Sequence, residues 1–114
     1  MRRKPLISIV MNCYNGDRYL KESLDSIKNQ RFKNWELIFW DNRSTDNSKK
    51  IFLSFKDKRF KYYYANKFTN LYAARNLAIK KTRGKIITFV DVDDIWLAHK
   101  LEKQAEYFLK NKSA

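Results

Sequence analysis

Ile86-Ile87-Thr88-Phe89-Val90 runs without a break into Asp91-Val92-Asp93-Asp94, and the fold is read outward from this junction. Five apolar or β-branched residues in a row predict a strand buried on both faces, because a half-buried strand alternates polar and apolar positions. The acidic tetrapeptide then stands at that strand's C-terminal end. Three carboxylates within four residues repel one another at close range. Behind a buried strand they call for a compensating cation, and hard divalent ions such as Mg²⁺ or Mn²⁺ take oxygen ligands of this kind. Two other readings compete. Acidic side chains favour helix starts, which accounts for Asp94 but leaves Asp91 and Asp93 unexplained. A calcium-binding EF-hand loop would have Glu102 at its twelfth position, but Trp96 stands where that loop needs glycine and Ile95 where it needs a ligand.

Upstream the apolar period alternates between strand and helix. Strands are predicted at Leu6–Met11, Trp35–Trp40, Phe60–Ala65 and Ile86–Val90. Helical spacing runs from Arg18 to Gln30 (Tyr19, Leu20, Leu24, Ile27), through Ile51, Phe52 and Phe55, from Leu71 to Thr82 (Leu71, Ala74, Leu77, Ala78), and from Ala98 to Asn111 (Leu101, Ala105, Phe108, Leu109). Gly84 reads as the stop for the third helix. The order βαβαβαβα predicts one α/β domain over residues 1–114, with a mostly parallel four-stranded sheet and helices on both faces. Such sheets bind ligands beyond the C-terminal ends of their strands. Those ends carry Asn12-Cys13-Tyr14-Asn15-Gly16, Asp41-Asn42-Arg43-Ser44-Thr45-Asp46, Asn66-Lys67 and Asp91-Val92-Asp93-Asp94.

Composition narrows the chemistry. The chain has 114 residues, 44% hydrophobic, with a net charge of +13. Its cations are spread along the chain, in small groups at Arg2–Lys4, Lys49-Lys50, Lys56–Lys61 and Lys80–Lys85, and its aromatic residues sit at core spacing. That pattern favours a solvated basic surface over a nucleic-acid platform, so no nucleic-acid partner is expected. The surface also suits phosphates or acidic lipid headgroups. The apolar stretch Leu6–Met11 is too short for a signal-peptide core, so the protein is expected to stay in the cytoplasm. Cys13, the single cysteine, reads as a buried structural thiol. With glycine only at positions 16 and 84, there is neither a dinucleotide fingerprint nor a Walker loop. His99, the single histidine, has no evident partner for a Ser-His-Asp triad.

Four pieces in fixed order resemble the family 2 glycosyltransferases, inverting enzymes of the Rossmann-like GT-A fold. They are the strand and turn Ser8–Asn15, the strand and acidic loop Trp35–Asp46, the helix segment Ala74-Arg75-Asn76, and Asp91-Val92-Asp93-Asp94, similar to the family's D-x-D metal motif. Together they span about Leu6 to Gln104. The resemblance implies a donor nucleotide-diphosphate sugar, usually carrying uracil, held through Mn²⁺ or Mg²⁺. It implies Asp41 at the base, with Asn12, Tyr14 and Asn15 in the same nucleotide pocket. Asp91 is implied near ribose or metal, Asp93 on the metal, and Arg75 either beside the nucleotide sugar or bracing the aspartate loops. Structural readings stand beside these: Tyr14 as core packing, Asp46 as a helix cap, Arg75 as a partner for an aspartate.

The sequence departs from the family pattern at Asn12 (often proline), Asn42-Arg43 (often Asp-Gly) and Asn70 (usually glycine). Arg43 reads as a phosphate contact or as a change of nucleotide preference. Asn70 reads as a mild change, since asparagine tolerates left-handed backbone. The family's catalytic base and acceptor site lie downstream of the D-x-D. The chain is therefore expected to be the donor-binding part of a metal-dependent transferase acting on a glycan or lipid-linked acceptor in cell-envelope polysaccharide synthesis, incomplete for catalysis by itself. A peripheral stay on anionic membrane at the inner face of the cell membrane is also expected. The alternative is a non-catalytic nucleotide-binding module of the same fold.

Overall fold

The computed structural model describes residues 4–111. It has eight elements: β1 (Ile7–Cys13), α1 (Asp17–Lys28), β2 (Trp35–Asp41), α2 (Ser48–Ser54), β3 (Phe60–Tyr64), α3 (Leu71–Ile79), β4 (Ile86–Val90) and α4 (Lys100–Asn111). The sheet has the order β3-β2-β1-β4, and all its pairs are parallel. The predicted βαβαβαβα architecture is therefore present. Of the basic groups read from the sequence, residues Met1–Arg3 lie outside the described residues.

The chain fills the sheet from β1 to β3 in one direction and then returns to place β4 on the other side of β1. This reversal also moves the crossover helix, because right-handed connections running in opposite directions cover opposite faces. One face carries α1, α2 and α4, with Leu20, Leu24, Ile27, Phe52, Leu101 and Ala105 packed against Ile7, Ile9, Met11, Leu37 and Phe39. The other carries α3, whose Ala74 and Ala78 pack on Val10, Ile38 and Trp40. Alanine at both helix positions lets α3 lie close to the sheet. β1 and β2 are covered on both faces and are almost wholly buried, each large apolar side chain contributing about 1.5–3 kcal/mol.

Several expectations are corrected. β4 is an edge strand, not the most buried one: Ile87 and Phe89 are 39% and 43% exposed, because α3 covers β1 and β2 and leaves that side of β4 open. Its unbroken apolar run thus marks an uncovered face. Tyr19, Leu71 and Leu109, predicted to face inward, are about half exposed, each at the margin of its helix's apolar stripe. β1 and β2 extend further than predicted, so Asn12, Cys13 and Asp41 are strand residues. Gly84 does not stop α3, which ends at Ile79. A Cβ at Gly84 would lie 2.7 Å from both the backbone nitrogen and the Oγ of Ser8, so glycine there permits close contact with the central strand.

Candidate functional site

The loops following β1 and β2 are laced together at the C-terminal edge of the sheet. Asn15, in a left-handed conformation at φ 52°, turns its Oδ1 to accept the backbone N–H of Thr45 at 2.7 Å. Its own N–H donates to Ser44 Oγ at 2.9 Å, and the Gly16 N–H to Ser48 Oγ at 3.0 Å. The Asp17 N–H donates to Asp46 Oδ2, and the Asn47 N–H returns to Asp17 Oδ2. Asp46 also accepts the Ser48 N–H, but the cap position of α2 is Asn47, so the capping role read for Asp46 is corrected: it braces the turn one residue ahead of the cap. Burial raises the pKa of the Asp46 carboxyl, but hydrogen bonds from the hydroxyl and N–H of Ser48 and the N–H of Asp17 outweigh this and hold it below the usual carboxylate range.

Asp41 is fully buried. Its Oδ1 accepts the Ser44 N–H at 2.8 Å and its Oδ2 the Tyr62 hydroxyl at 2.5 Å, so both oxygens are used inside the protein. These bonds tie Asp41 to the β2 loop and to β3. Strand alternation divides these residues between the two sides: Cys13 and Asp41 are paired across β1 and β2 and lie on the α1–α2–α4 side, while Asn12, Trp40 and Asn42 belong to the α3 side. On that side lies a cavity of about 230 Å³ lined by Asn12, Tyr14, Asn42, Phe68, Thr69 and Ala74. Asn12 Oδ1 is buried there with no hydrogen-bond partner among the described residues. Asn42 is held by two bonds to the Thr69 backbone, Nδ2 donating to its carbonyl at 2.8 Å and Oδ1 accepting its N–H at 3.1 Å. Tyr14 is 54% exposed, not core packing, and meets Phe68 edge to face at 5.1 Å. Of the expected nucleotide residues, Asn12 and Tyr14 line this cavity, while Asn15 and Asp41 are spent on the loops behind it. The sequence reading missed Phe68 and Thr69. An apolar ring in the otherwise polar segment Asn66–Asn70 was the signal that could have marked them.

Cys13 is buried, and burial raises its thiol pKa, as expected of a structural cysteine. Arg43, at φ 70°, stands in the left-handed region that favours glycine. Its guanidinium donates to the carbonyls of Ala65 and Asn66 and stacks on Tyr64 at 4.8 Å, tying the β2 loop to the end of β3. Asn70 has φ −71° and caps α3 by accepting the Ala73 N–H, so left-handed tolerance is not what suits it to this position. Arg75 makes no hydrogen bond or ion pair to an aspartate among the described residues. It lies 5.1 Å over the ring of Phe89, so the bracing reading is corrected as well.

The acidic loop after β4 is anchored from α1. Ser23 Oγ donates to the Asp91 carbonyl, Ser26 Oγ accepts the Trp96 N–H, and Gln30 bonds both the Leu97 carbonyl and the Leu101 N–H. Gly16 lets α1 approach closely: a Cβ there would lie 2.9 Å from a methyl of Val92. Asp94 Oδ2 accepts the Asp91 N–H at 3.0 Å, closing the turn. One carboxylate oxygen from each of Asp91, Asp93 and Asp94 lies within 4.8 Å of the others, and all three residues are exposed. Exposed carboxylates are screened by water and need no compensating cation on the ground of burial, which corrects the expectation drawn from a buried strand. What remains is an all-oxygen donor set whose spacing fits a hard divalent cation.

The profile of the family described as Glycosyl transferase family 2 matches residues 8–114. The chain is 42% identical over 111 residues to the UDP-Glc:alpha-D-GlcNAc-diphosphoundecaprenol beta-1,3-glucosyltransferase WfgD of Escherichia coli, covering 93% of this chain and 42% of that protein. It is 33% identical to the putative teichuronic acid biosynthesis glycosyltransferase TuaG of Bacillus subtilis, covering 97% of this chain and 45% of that protein. It superposes on the crystal structure of S. aureus TarS in complex with UDP-GlcNAc with a TM-score of 0.85 at 26% identity, over 93% of this chain and 32% of that one. The fold is thus that of the Rossmann-like, GT-A-type transferases. The chain belongs to glycosyl transferase family 2, and it spans under half the length of these curated relatives. No helix among the described residues is long and apolar enough to cross a membrane.

Proposed function

We propose that this chain is the donor-binding part of an inverting glycosyltransferase that takes a nucleotide-diphosphate sugar, a UDP-sugar by preference, for transfer to a glycan or lipid-linked acceptor in cell-envelope polysaccharide synthesis. The observation that carries the reading is the convergence, at one edge of the sheet, of the Asn12–Tyr14–Asn42–Phe68 cavity and the Asp91–Asp93–Asp94 carboxylates. The uridine preference is supported by relatives whose names carry UDP-glucose and UDP-GlcNAc.

The base is assigned to the cavity. Asn12 Oδ1 offers the acceptor that a uracil N–H requires, and Tyr14 and Phe68 offer apolar ring surface. Asp41 acts behind them, holding Ser44 and Tyr62 so that Asn42 is presented from a fixed loop. Asp93, with Asp91, would hold Mn²⁺ or Mg²⁺. When bound, the ion supplies positive charge against the diphosphate leaving group. Arg75, stacked on Phe89 just ahead of the acidic loop, is assigned to the nucleotide-sugar side of the site. The base that deprotonates the acceptor is assigned to sequence outside this chain, together with the acceptor site. The protein works in the cytoplasm, in peripheral contact with the anionic inner face of the membrane.

The test is a calorimetric titration of UDP into the chain with Mn²⁺ and again with EDTA, for the parent and for Asp93→Ala. Binding that needs the metal and is lost in the variant is the expected result. Equal binding in all arms would overturn the metal assignment, and no binding in any arm would overturn donor binding by this chain.

A further inference from the structure

The N-terminal edge of the sheet, opposite the donor site, holds a second cavity, of about 300 Å³, where the segments entering β2, β3 and β4 meet. Its polar lining is dominated by cations. Two of them are already spent. Lys61 Nζ lies 2.9 Å from Glu36. Arg59 makes a two-point contact with Asp57, at 3.0 and 2.7 Å, and lies flat over the Trp35 ring at 3.8 Å. The acidic groups are equally committed. Glu36 is buried and accepts the Ser8 hydroxyl at 2.6 Å and the Arg83 N–H at 2.7 Å, in addition to Lys61. Burial raises its pKa, but these three donors prevail and keep the carboxyl below the usual range.

What is left over has one sign. Lys33, Lys58 and Arg83 line the cavity, and their side chains make no ion pair among the described residues. Trp35, 2% exposed, is also among its lining residues, with its ring beneath Arg59. Three uncommitted cations around one small cavity, with Glu36 and Asp57 both paired, select an anionic ligand. Arg83 suits phosphate through its fork of donors, and the lysines suit it as point charges.

We propose that this cavity is a phosphate-binding site, distinct from the donor site, taking a phosphate group through Lys33, Lys58 and Arg83. The group can belong to a soluble phosphorylated compound or to a lipid headgroup, since the recognition chemistry is the same.

The test uses the full chain without nucleotide or metal, labelled with ¹⁵N. Inorganic phosphate and pyrophosphate are titrated at constant ionic strength, and the indole N–H signals of the three tryptophans are followed, with Trp35 assigned by Trp35→Phe. The expected result is a saturable shift of the Trp35 indole, with those of Trp40 and Trp96 unmoved. In Lys58→Ser/Arg83→Ser, whose altered side chains project from the surface and leave the core intact, affinity falls by roughly tenfold. Asp93→Asn leaves the shift unchanged, so failure here and failure of the donor site are told apart. Sedimentation with phosphatidylcholine vesicles, with and without phosphatidic acid, identifies the source. Attachment that needs the acidic lipid and is lost in the double variant assigns a headgroup, and a saturable shift without attachment assigns a soluble phosphate. Absence of a saturable shift, or a shift equally strong in the double variant, overturns the proposal.

Discussion

Tyr62→Phe removes one oxygen, and its effect follows from the geometry around Asp41. The Tyr62 hydroxyl donates to Asp41 Oδ2 at 2.5 Å, and the residue receiving it is fully buried. Phenylalanine keeps the ring that packs against Phe39 and Phe52, so the change is confined to the hydrogen bond. A bond to a buried charged acceptor is worth about 1.5–3 kcal/mol, and its loss leaves the carboxylate with the Ser44 N–H alone. The expected destabilisation is about 2 kcal/mol by urea unfolding, equivalent to roughly 8 °C in Tm for a chain of this size.

The pH dependence gives a second readout. Burial, followed by the bond to Asp41 and the charge it carries, pushes the Tyr62 pKa above its ordinary value of 10.0. A raised pKa means that the folded state retains this proton longer than the unfolded chain does. The stabilisation is therefore fully present below pH 10.0 and is lost as pH rises further. The difference in stability between the parent and Tyr62→Phe should accordingly shrink above that pH. A variant within about 0.5 kcal/mol of the parent, with the same alkaline slope, would refute the bracing role given to Asp41.

Gly84→Ala places a methyl 2.7 Å from the Ser8 backbone nitrogen and should cost about 1–3 kcal/mol, read by thermal unfolding. Asn70→Ala removes the cap that accepts the Ala73 N–H; about 1 kcal/mol should be lost, with faster amide exchange in the first turn of α3. Asp57 has its pKa lowered chiefly by hydrogen bonding to Arg59, so its contribution is present above the ordinary carboxylate value of about 3.9 and is lost as pH falls below it. Asp57→Asn should therefore be less stable than the parent at neutral pH and should show a shallower acid unfolding limb.

The sheet was legible because each strand segment is short, apolar and followed by polar turn residues, and because alternating strands and helices leave few topologies. Which strand lay at the edge was not legible. An apolar run such as Ile86–Val90 has the same signature whether both faces are covered by this chain or one face is left open, as Ile87 and Phe89 show. In the site, Asn12 and Tyr14 were singled out because they stand at the C-terminal end of the first apolar run, and Asp91 and Asp93 because the acidic cluster they belong to is unusually dense. Asp41 was read as a loop residue because β2 is longer than its apolar residues suggest. One more residue of strand puts Asp41 on the α1–α2–α4 side and leaves Asn42 to face the cavity. The basic cavity at the other edge escaped sequence reading because Lys33, Lys58 and Arg83 are far apart in the chain and meet only through the parallel order of the strands.

The most direct test of the central claim is a crystal structure of this chain with UDP and Mn²⁺. The account predicts the uracil in the cavity lined by Asn12, Tyr14, Asn42 and Phe68, with the metal between Asp93 and the diphosphate and Asp41 still bonded to Tyr62. A base lodged elsewhere, or a diphosphate held without metal and away from Asp91 and Asp93, would contradict it.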